Sequence, residues 1–127
     1  MPFVKIYLRS GKNQEYLRSM SEAVHSALVS EANVPADDRF QAIIEVPHDR
    51  LVQHATYGGV LRSNDLIIVE VTLNAGRTVD IKKSLYRKMA SNLEKGIGLR
   101  ADDLVVSLVE VQKENWSFGK GLATYAD

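Results

Sequence analysis

A chain of 127 residues with 45% apolar and 25% charged residues has the size and composition of one folded domain, which excludes a disordered segment. Sixteen basic residues are balanced by sixteen acidic ones, so the basic surplus of a general nucleic-acid binder is missing and no nucleic-acid partner is expected. With no cysteine there is no disulfide framework, no thiolate nucleophile and no Cys-based zinc site.

The first strand is predicted over residues 3–9, where Phe3, Val4, Ile6, Tyr7 and Leu8 surround a lysine. Pro2 stands just before it. Proline lacks a backbone N–H and fits the first position of a strand. A second reading is chemical: if Met1 is trimmed, Pro2 becomes a free secondary amine, held by its ring, that can serve as acid, base or nucleophile. Lys5 and Arg9 interrupt the opening apolar run, so no signal peptide is expected. No stretch approaches the roughly 18 apolar residues of a spanning helix, so a cytoplasmic protein without a membrane partner is expected.

A helix follows, with Tyr16, Leu17, Met20, Ala23, Val24, Ala27 and Leu28 at helical spacing. The turn Asp37-Asp38-Arg39 leads into a strand over residues 40–46. Residues 47–65 read as a linker, with Gly58, Gly59 and the Asn64-Asp65 pair as turn signals. A strand over residues 66–73 comes next, then "LNAGRT" with Arg77, and then a helix through Ile81, Leu85, Met89 and Leu93. Asp102-Asp103 reads as a polar turn before the last strand, residues 104–111. The tail "ENWSFGKGLATYAD" fits neither period and is expected to pack across its own sheet or a neighbouring subunit.

These elements form a duplication. A shift of 65 positions lays "FVKIYLRSGK" on "IVEVTLNAGR" and "VPADDRFQAIIEV" on "LRADDLVVSLVEV" without a gap. It also pairs Asn33 with Gly98, both tolerant of the left-handed conformation that follows a helix. The expected fold is α+β: tandem β-α-β units in one domain, forming a four-stranded mixed sheet with both helices on one face. The units span residues 2–46 and 66–111, with the linker at 47–65 and an aromatic C-terminal segment at 112–127. Such a sheet leaves its other face bare, so a homo-oligomer is expected.

Arg77 lies near a helix start, where the helix dipole disfavours a cation. The placement makes better sense if the guanidinium meets an anion, and a carboxylate accepts two parallel hydrogen bonds from it. His25, His48 and His54 lack metal-ligand spacing; His25, inside a helix, is expected to pack or face solvent. No phosphate-binding or nucleophile-elbow motif occurs, and Gly119 and Gly121 read as a turn. The element order also occurs in RNA-binding sheets, but "LIIVEVTL" lacks their stacking aromatics.

Taken together, the early proline, the two β-α-β units, "VPADDRFQ" and "WSFGKG" resemble the tautomerase superfamily, and within it the malonate semialdehyde decarboxylase-like group. The resemblance spans nearly the whole chain. It implies the tautomerase fold, a homotrimer, no cofactor and no metal, and a small carboxylate substrate. It also implies that Pro2 is the catalytic amine, that Asp38 works beside it, that Arg77 binds the carboxylate, and that Trp116, Phe118 and Tyr125 wall the pocket. One departure stands out: where the decarboxylases carry a second arginine, this chain reads Asn74-Ala75-Gly76. The implied activity is keto–enol tautomerisation of a 2-oxo acid such as phenylpyruvate. The alternatives are decarboxylation or hydration of a small 3-oxo or unsaturated acid, and a non-catalytic oligomeric scaffold.

Overall fold

The computed structural model of the chain describes residues 1–126. Strands β1 (Phe3–Arg9), β2 (Gln41–Val46), β5 (Ile67–Asn74) and β6 (Leu104–Val111) form one sheet in the order β2-β1-β5-β6. Each outer strand is parallel to its inner neighbour, and the inner pair is antiparallel, with Phe3 facing Thr72 and Tyr7 facing Ile68. Helices α1 (Gln14–Glu31) and α2 (Val79–Ile97) complete the two units. This is the α+β fold expected from the sequence, with two helices over a four-stranded mixed sheet.

Alternation along the inner strands decides which face the helices cover. Val4, Ile6 and Leu8 on β1, and Val69, Val71 and Leu73 on β5, are buried in one core with Met20, Val24 and Leu28 of α1 and Leu85, Met89 and Leu93 of α2. Both helices start on a side-chain cap. Asn13 accepts from the Tyr16 N–H at 2.8 Å, and Thr78 accepts from the Ile81 N–H at 3.2 Å. Gly98 ends α2 at φ +69°, and its repeat partner Asn33 lies past α1 at φ +58°. Adding 65 to the bounds of α1 gives residues 79–96, almost the span of α2. The duplication is therefore three-dimensional.

On the opposite face the side chains of Tyr7, Ile44, Ile68, Val105 and Val109 lie along matching register positions, with a Lys5–Glu70 ion pair of 3.7 Å among them. No part of this chain's helical layer covers them.

The linker has more structure than its turn signals suggest. It contains a 3₁₀ turn at His48–Arg50 and a hairpin of β3 (Thr56–Tyr57) and β4 (Val60–Leu61). The hairpin turns on Gly58 and Gly59, both at positive φ, the condition for a two-residue turn that matches strand twist. Arg9, only 7% exposed, holds the linker down. Its Nε donates to the His48 carbonyl at 3.1 Å, Nη1 donates to Gln53 Oε1 and the Asn64 carbonyl, and Nη2 donates to the Leu51 carbonyl. Asp103 is also more than part of a polar turn. It is 1% exposed, and its two oxygens accept the backbone N–H and the hydroxyl of Ser63, each at 2.7 Å.

Candidate functional site

The start of β1 and the chain beyond β6 meet at one end of the sheet. Pro2 is buried there, next to Phe3 at the first rung of the β1–β5 ladder. The Val4 N–H donates to the Phe40 carbonyl at 2.9 Å, which brings the turn before β2 against the same end. Beyond β6 the chain passes through a 3₁₀ turn (Lys113–Asn115) and returns with Trp116 and Phe118. Together Met1, Pro2, Phe3, Phe40, Trp116, Ser117 and Phe118 line a mostly apolar cavity of about 310 Å³.

The aromatic wall is ordered by its own contacts. Trp116 stacks on Phe118 with ring centroids 5.2 Å apart, and Tyr125 meets Phe118 edge-on at 5.5 Å. Tyr125 thus backs the wall without lining the cavity. The tail bends back through the Phe118 N–H, which donates to Thr124 Oγ1 at 3.0 Å. The Trp116 indole N–H donates to Asn74 Oδ1 at 2.8 Å, which ties the wall to the end of β5.

Asp38 approaches from the turn after α1. One oxygen lies 3.9 Å from the Met1 amino nitrogen; the other is buried and is without a hydrogen-bond partner. Two contacts shape this turn. The Asp38 N–H donates to the Pro35 carbonyl at 3.0 Å, and the buried His25 places Nε2 2.8 Å from the Ala36 carbonyl. A carbonyl only accepts, so that nitrogen carries a proton. The neighbouring Arg39 points elsewhere: it pairs with Glu22 at 2.7 Å and, mainly by that hydrogen bond, lowers the Glu22 carboxyl below its ordinary value.

Arg77 does not line the cavity. Its Nε and Nη2 both donate to the Ala32 carbonyl, at 3.0 and 2.8 Å, and Nη1 donates to the Asn74 carbonyl at 3.2 Å. Ala32 is the residue that ends α1, so the guanidinium sits where the helix leaves carbonyls unpaired and its dipole favours a cation. Of its five N–H groups these bonds use three, leaving one on each Nη nitrogen. Glu110 stands near: Lys82 donates to it at 2.8 Å and holds its carboxyl below the ordinary value, helped by the Gly76 N–H and the charge of Arg77.

The structure therefore gathers Pro2, Trp116 and Phe118 around one cavity and sets Asp38 beside the chain's terminal nitrogen. Tyr125 stands behind the wall, and Arg77 joins it through Asn74. Sequence reasoning missed Phe3, Phe40, Asn74 and His25. Phe40 was within reach, because it directly follows the Asp38-Arg39 pair; the roles of Asn74 and His25 rest on long-range bonds that no local pattern signals. A larger open cleft of about 560 Å³ between α1 and α2, lined by residues that include Arg18, Glu22, Asn92 and Lys95, shares no lining residue with this cavity. Among the described residues no cluster of His, Asp and Glu is placed to hold a metal ion, and no helix is long and apolar enough to cross a membrane.

A sequence profile of the family described as "Tautomerase enzyme" matches residues 38–119, and a second profile of the same description matches residues 2–59. The chain is 40% identical over 123 residues to the probable tautomerase YusQ of Bacillus subtilis (strain 168), with 97% of each chain covered. Among solved structures it resembles FG41 malonate semialdehyde decarboxylase inhibited by 3-bromopropiolate. The TM-score is 0.89 and the identity 32%, over 97% of this chain and 93% of that one. A fused 4-OT symmetric trimer shares the fold, at TM-score 0.80 and 20% identity over 98% and 97% of the two chains.

Proposed function

This chain belongs to the tautomerase enzyme family, and we propose that it interconverts the keto and enol forms of a 2-oxo acid of the phenylpyruvate kind, with Pro2 as the acid–base group. The observation that carries the reading is the position of Pro2 in an apolar, aromatic-walled cavity, with Asp38 3.9 Å from the nitrogen of the preceding Met1. Removal of Met1 turns the Pro2 nitrogen from a tertiary amide into a secondary amine. In ketonisation that amine takes the enol hydroxyl proton and delivers a proton to C3, so the net change is one proton moved from oxygen to carbon. Arg77 offers its two free N–H groups to the substrate carboxylate. Trp116 and Phe118 receive the aryl group, and no step calls for a cofactor. Inhibition of the similar decarboxylase by 3-bromopropiolate, itself a small carboxylate, supports a carboxylate ligand.

A second reading rests on Asp38. Asp38 stands at the chain start, 3.9 Å from the Met1 nitrogen; in this reading an ammonium at Pro2 would polarise the carbonyl of a 3-oxo acid for decarboxylation, or Asp38 would activate water for hydration. The uncovered apolar sheet face supports assembly into a homotrimer.

The test starts with the intact mass, to establish that Met1 is gone. Ketonisation of phenylenolpyruvate is then followed across pH for the parent and Pro2→Ala. General acid–base transfer is worth roughly 10²–10⁴-fold, and Pro2→Ala should lose that much in kcat/KM. A rate that rises with pH as the amine deprotonates supports the base; a rate that falls supports the ammonium of the second reading. Equal turnover by both proteins would make the proline structural, and no turnover above the uncatalysed rate by either would leave a non-catalytic scaffold.

A further inference from the structure

We infer that Asn74 is a positioning residue that sets this site's preference for aryl over short aliphatic ligands by fixing the plane of the Trp116 indole; the ligand class rests on the tautomerase reading above. Three observations converge on it. The 2.8 Å bond from the Trp116 indole N–H to Asn74 Oδ1 joins residues 42 positions apart, from an irregular tail to a central strand. Trp116 donates its backbone N–H to the Lys113 carbonyl of a single 3₁₀ turn and stacks on Phe118; both partners belong to the tail, so the indole bond is what ties the aromatic pair to the sheet. Asn74 ends β5, two positions beyond Thr72, the partner of Phe3, so it stands on the sheet face and at the sheet end where the chain begins.

The third observation gives the bond its consequence. The backbone carbonyl of the same Asn74 accepts from Arg77 Nη1 at 3.2 Å. One residue therefore holds the aromatic wall by its side chain and the carboxylate-binding candidate by its main chain. The distance between the two is fixed through Asn74. An aryl acid, which engages both ends at once, depends on that spacing; a short acid, held only at the carboxylate, does not. The amide orientation is also defined, because only its oxygen can accept an indole N–H. Truncating Asn74 leaves that half-buried donor without a partner beside an apolar cavity, so the ring has reason to turn.

Trp116 is the only tryptophan in the chain, so tryptophan fluorescence reports the surroundings of this one ring and needs no catalysis. The experiment uses the full, Met1-trimmed protein in its native assembly. It compares the parent with Asn74→Ala and Asn74→Asp by emission maximum, acrylamide quenching and Kd for phenylpyruvate and for pyruvate. In Asn74→Ala emission should move to the red and quenching should increase. The preference for phenylpyruvate should fall about five-fold, the worth of one ordinary hydrogen bond. Asn74→Asp keeps an acceptor oxygen at the same reach, so parent-like emission and preference should return even where its charge weakens both ligands. In a Trp116→Phe background, Asn74→Ala should leave the preference unchanged. Emission and quenching unaltered in Asn74→Ala would overturn the inference, as would loss of the preference in Asn74→Asp. Failure of the parent to bind phenylpyruvate would refute the ligand class and with it the preference. Failure of Pro2→Ala to lose turnover would refute the catalytic reading and leave the indole clamp to be judged by emission.

Discussion

Asp38 and Asp103 occupy matching places in the duplication, each the second aspartate of an Ala-Asp-Asp run, yet the structure gives them opposite roles. Asp103 is almost wholly buried and accepts two short hydrogen bonds from Ser63, with Arg100 Nη1 3.7 Å away. Hydrogen bonds to charged groups contribute about 1.5–3 kcal/mol each. Asp103→Ala removes both and leaves the Ser63 N–H without its partner; readmitted water recovers part of the loss. A net destabilisation of about 3 kcal/mol is expected, in the range of broken buried networks. For a domain of this size that corresponds to a fall in Tm of roughly 10 °C. Asp103→Asn keeps one acceptor oxygen and should lose about half as much. Asp38→Ala should cost under about 1 kcal/mol, because its carboxylate has only the 3.9 Å ion pair and leaves one oxygen unbonded. Calorimetry with matched urea titrations, at one fixed protein concentration because assembly shifts Tm, gives the comparison. The reasoning is refuted if Asp103→Ala melts within about 2 °C of the parent, or if Asp38→Ala is equally damaging.

Arg77→Ala should raise KM for a carboxylate substrate by about ten-fold or more and also lower Tm slightly, since the guanidinium caps α1 at Ala32 as well as offering two N–H groups; steady-state kinetics with a melt on the same sample separates the two effects. Val109→Lys places a charge on the uncovered sheet face and should lower the molecular mass measured by light scattering toward that of one chain, with the helical far-UV signal kept. Glu22 is held below its ordinary 4.5 chiefly by the Arg39 hydrogen bond, so this pair stabilises the fold above about pH 4.5 and the contribution is lost as pH falls through the lowered value. Both partners are well exposed, so Arg39→Ala should cost at most about 0.5 kcal/mol at pH 7, and the difference from the parent should shrink as acid-titrated melts pass below pH 4.5.

The elements were legible in the sequence because periodicity reports which face of a strand or helix is buried. Residues 104–111 were predicted to the residue, and β5 was misplaced by one position at each end. Gln41, not Phe40, opens β2, although the Phe40 carbonyl already pairs with Val4. Periodicity says nothing of partners, and there the sequence reading stopped. Arg9 lies in a strand where an isolated cation reads as solvated, yet it is buried because the linker folds over it. Arg77 was read as facing an anion, and the structure shows what that reading omitted: α1 ends at Ala32 with a free carbonyl, and the guanidinium is bonded to it across 45 residues. Among the aromatics, "WSFG" marked Trp116 and Phe118, but Phe3 and Phe40 were read as strand residues and not as cavity walls.

The duplication gives two equivalent places, each built from residues of both units, and the contrast between them explains why one carries the candidate site. Under the 65-residue shift, Pro2, Asp38, Asn74 and Arg77 correspond to Ile67, Asp103, Arg9 and Lys12. Each polar member of the second set is satisfied by the linker. Asp103 accepts from Ser63, Arg9 donates to His48, Leu51, Gln53 and Asn64, and Lys12 donates to Asp65 at 2.8 Å, which raises the Lys12 pKa. Ile67 is fully buried within the strand and its nitrogen is an internal amide. A polar crevice of about 220 Å³ among Lys12, Tyr16, Asp65 and Asp103 is what remains there. At the other place the corresponding groups keep capacity in hand: one Asp38 oxygen is unbonded, Arg77 has two N–H groups free, and Asn74 gives its oxygen to the cavity wall. Duplication supplied two equivalent frames. The linker filled one of them, and the other was left with a proline at the start of its strand and with groups still able to meet a ligand.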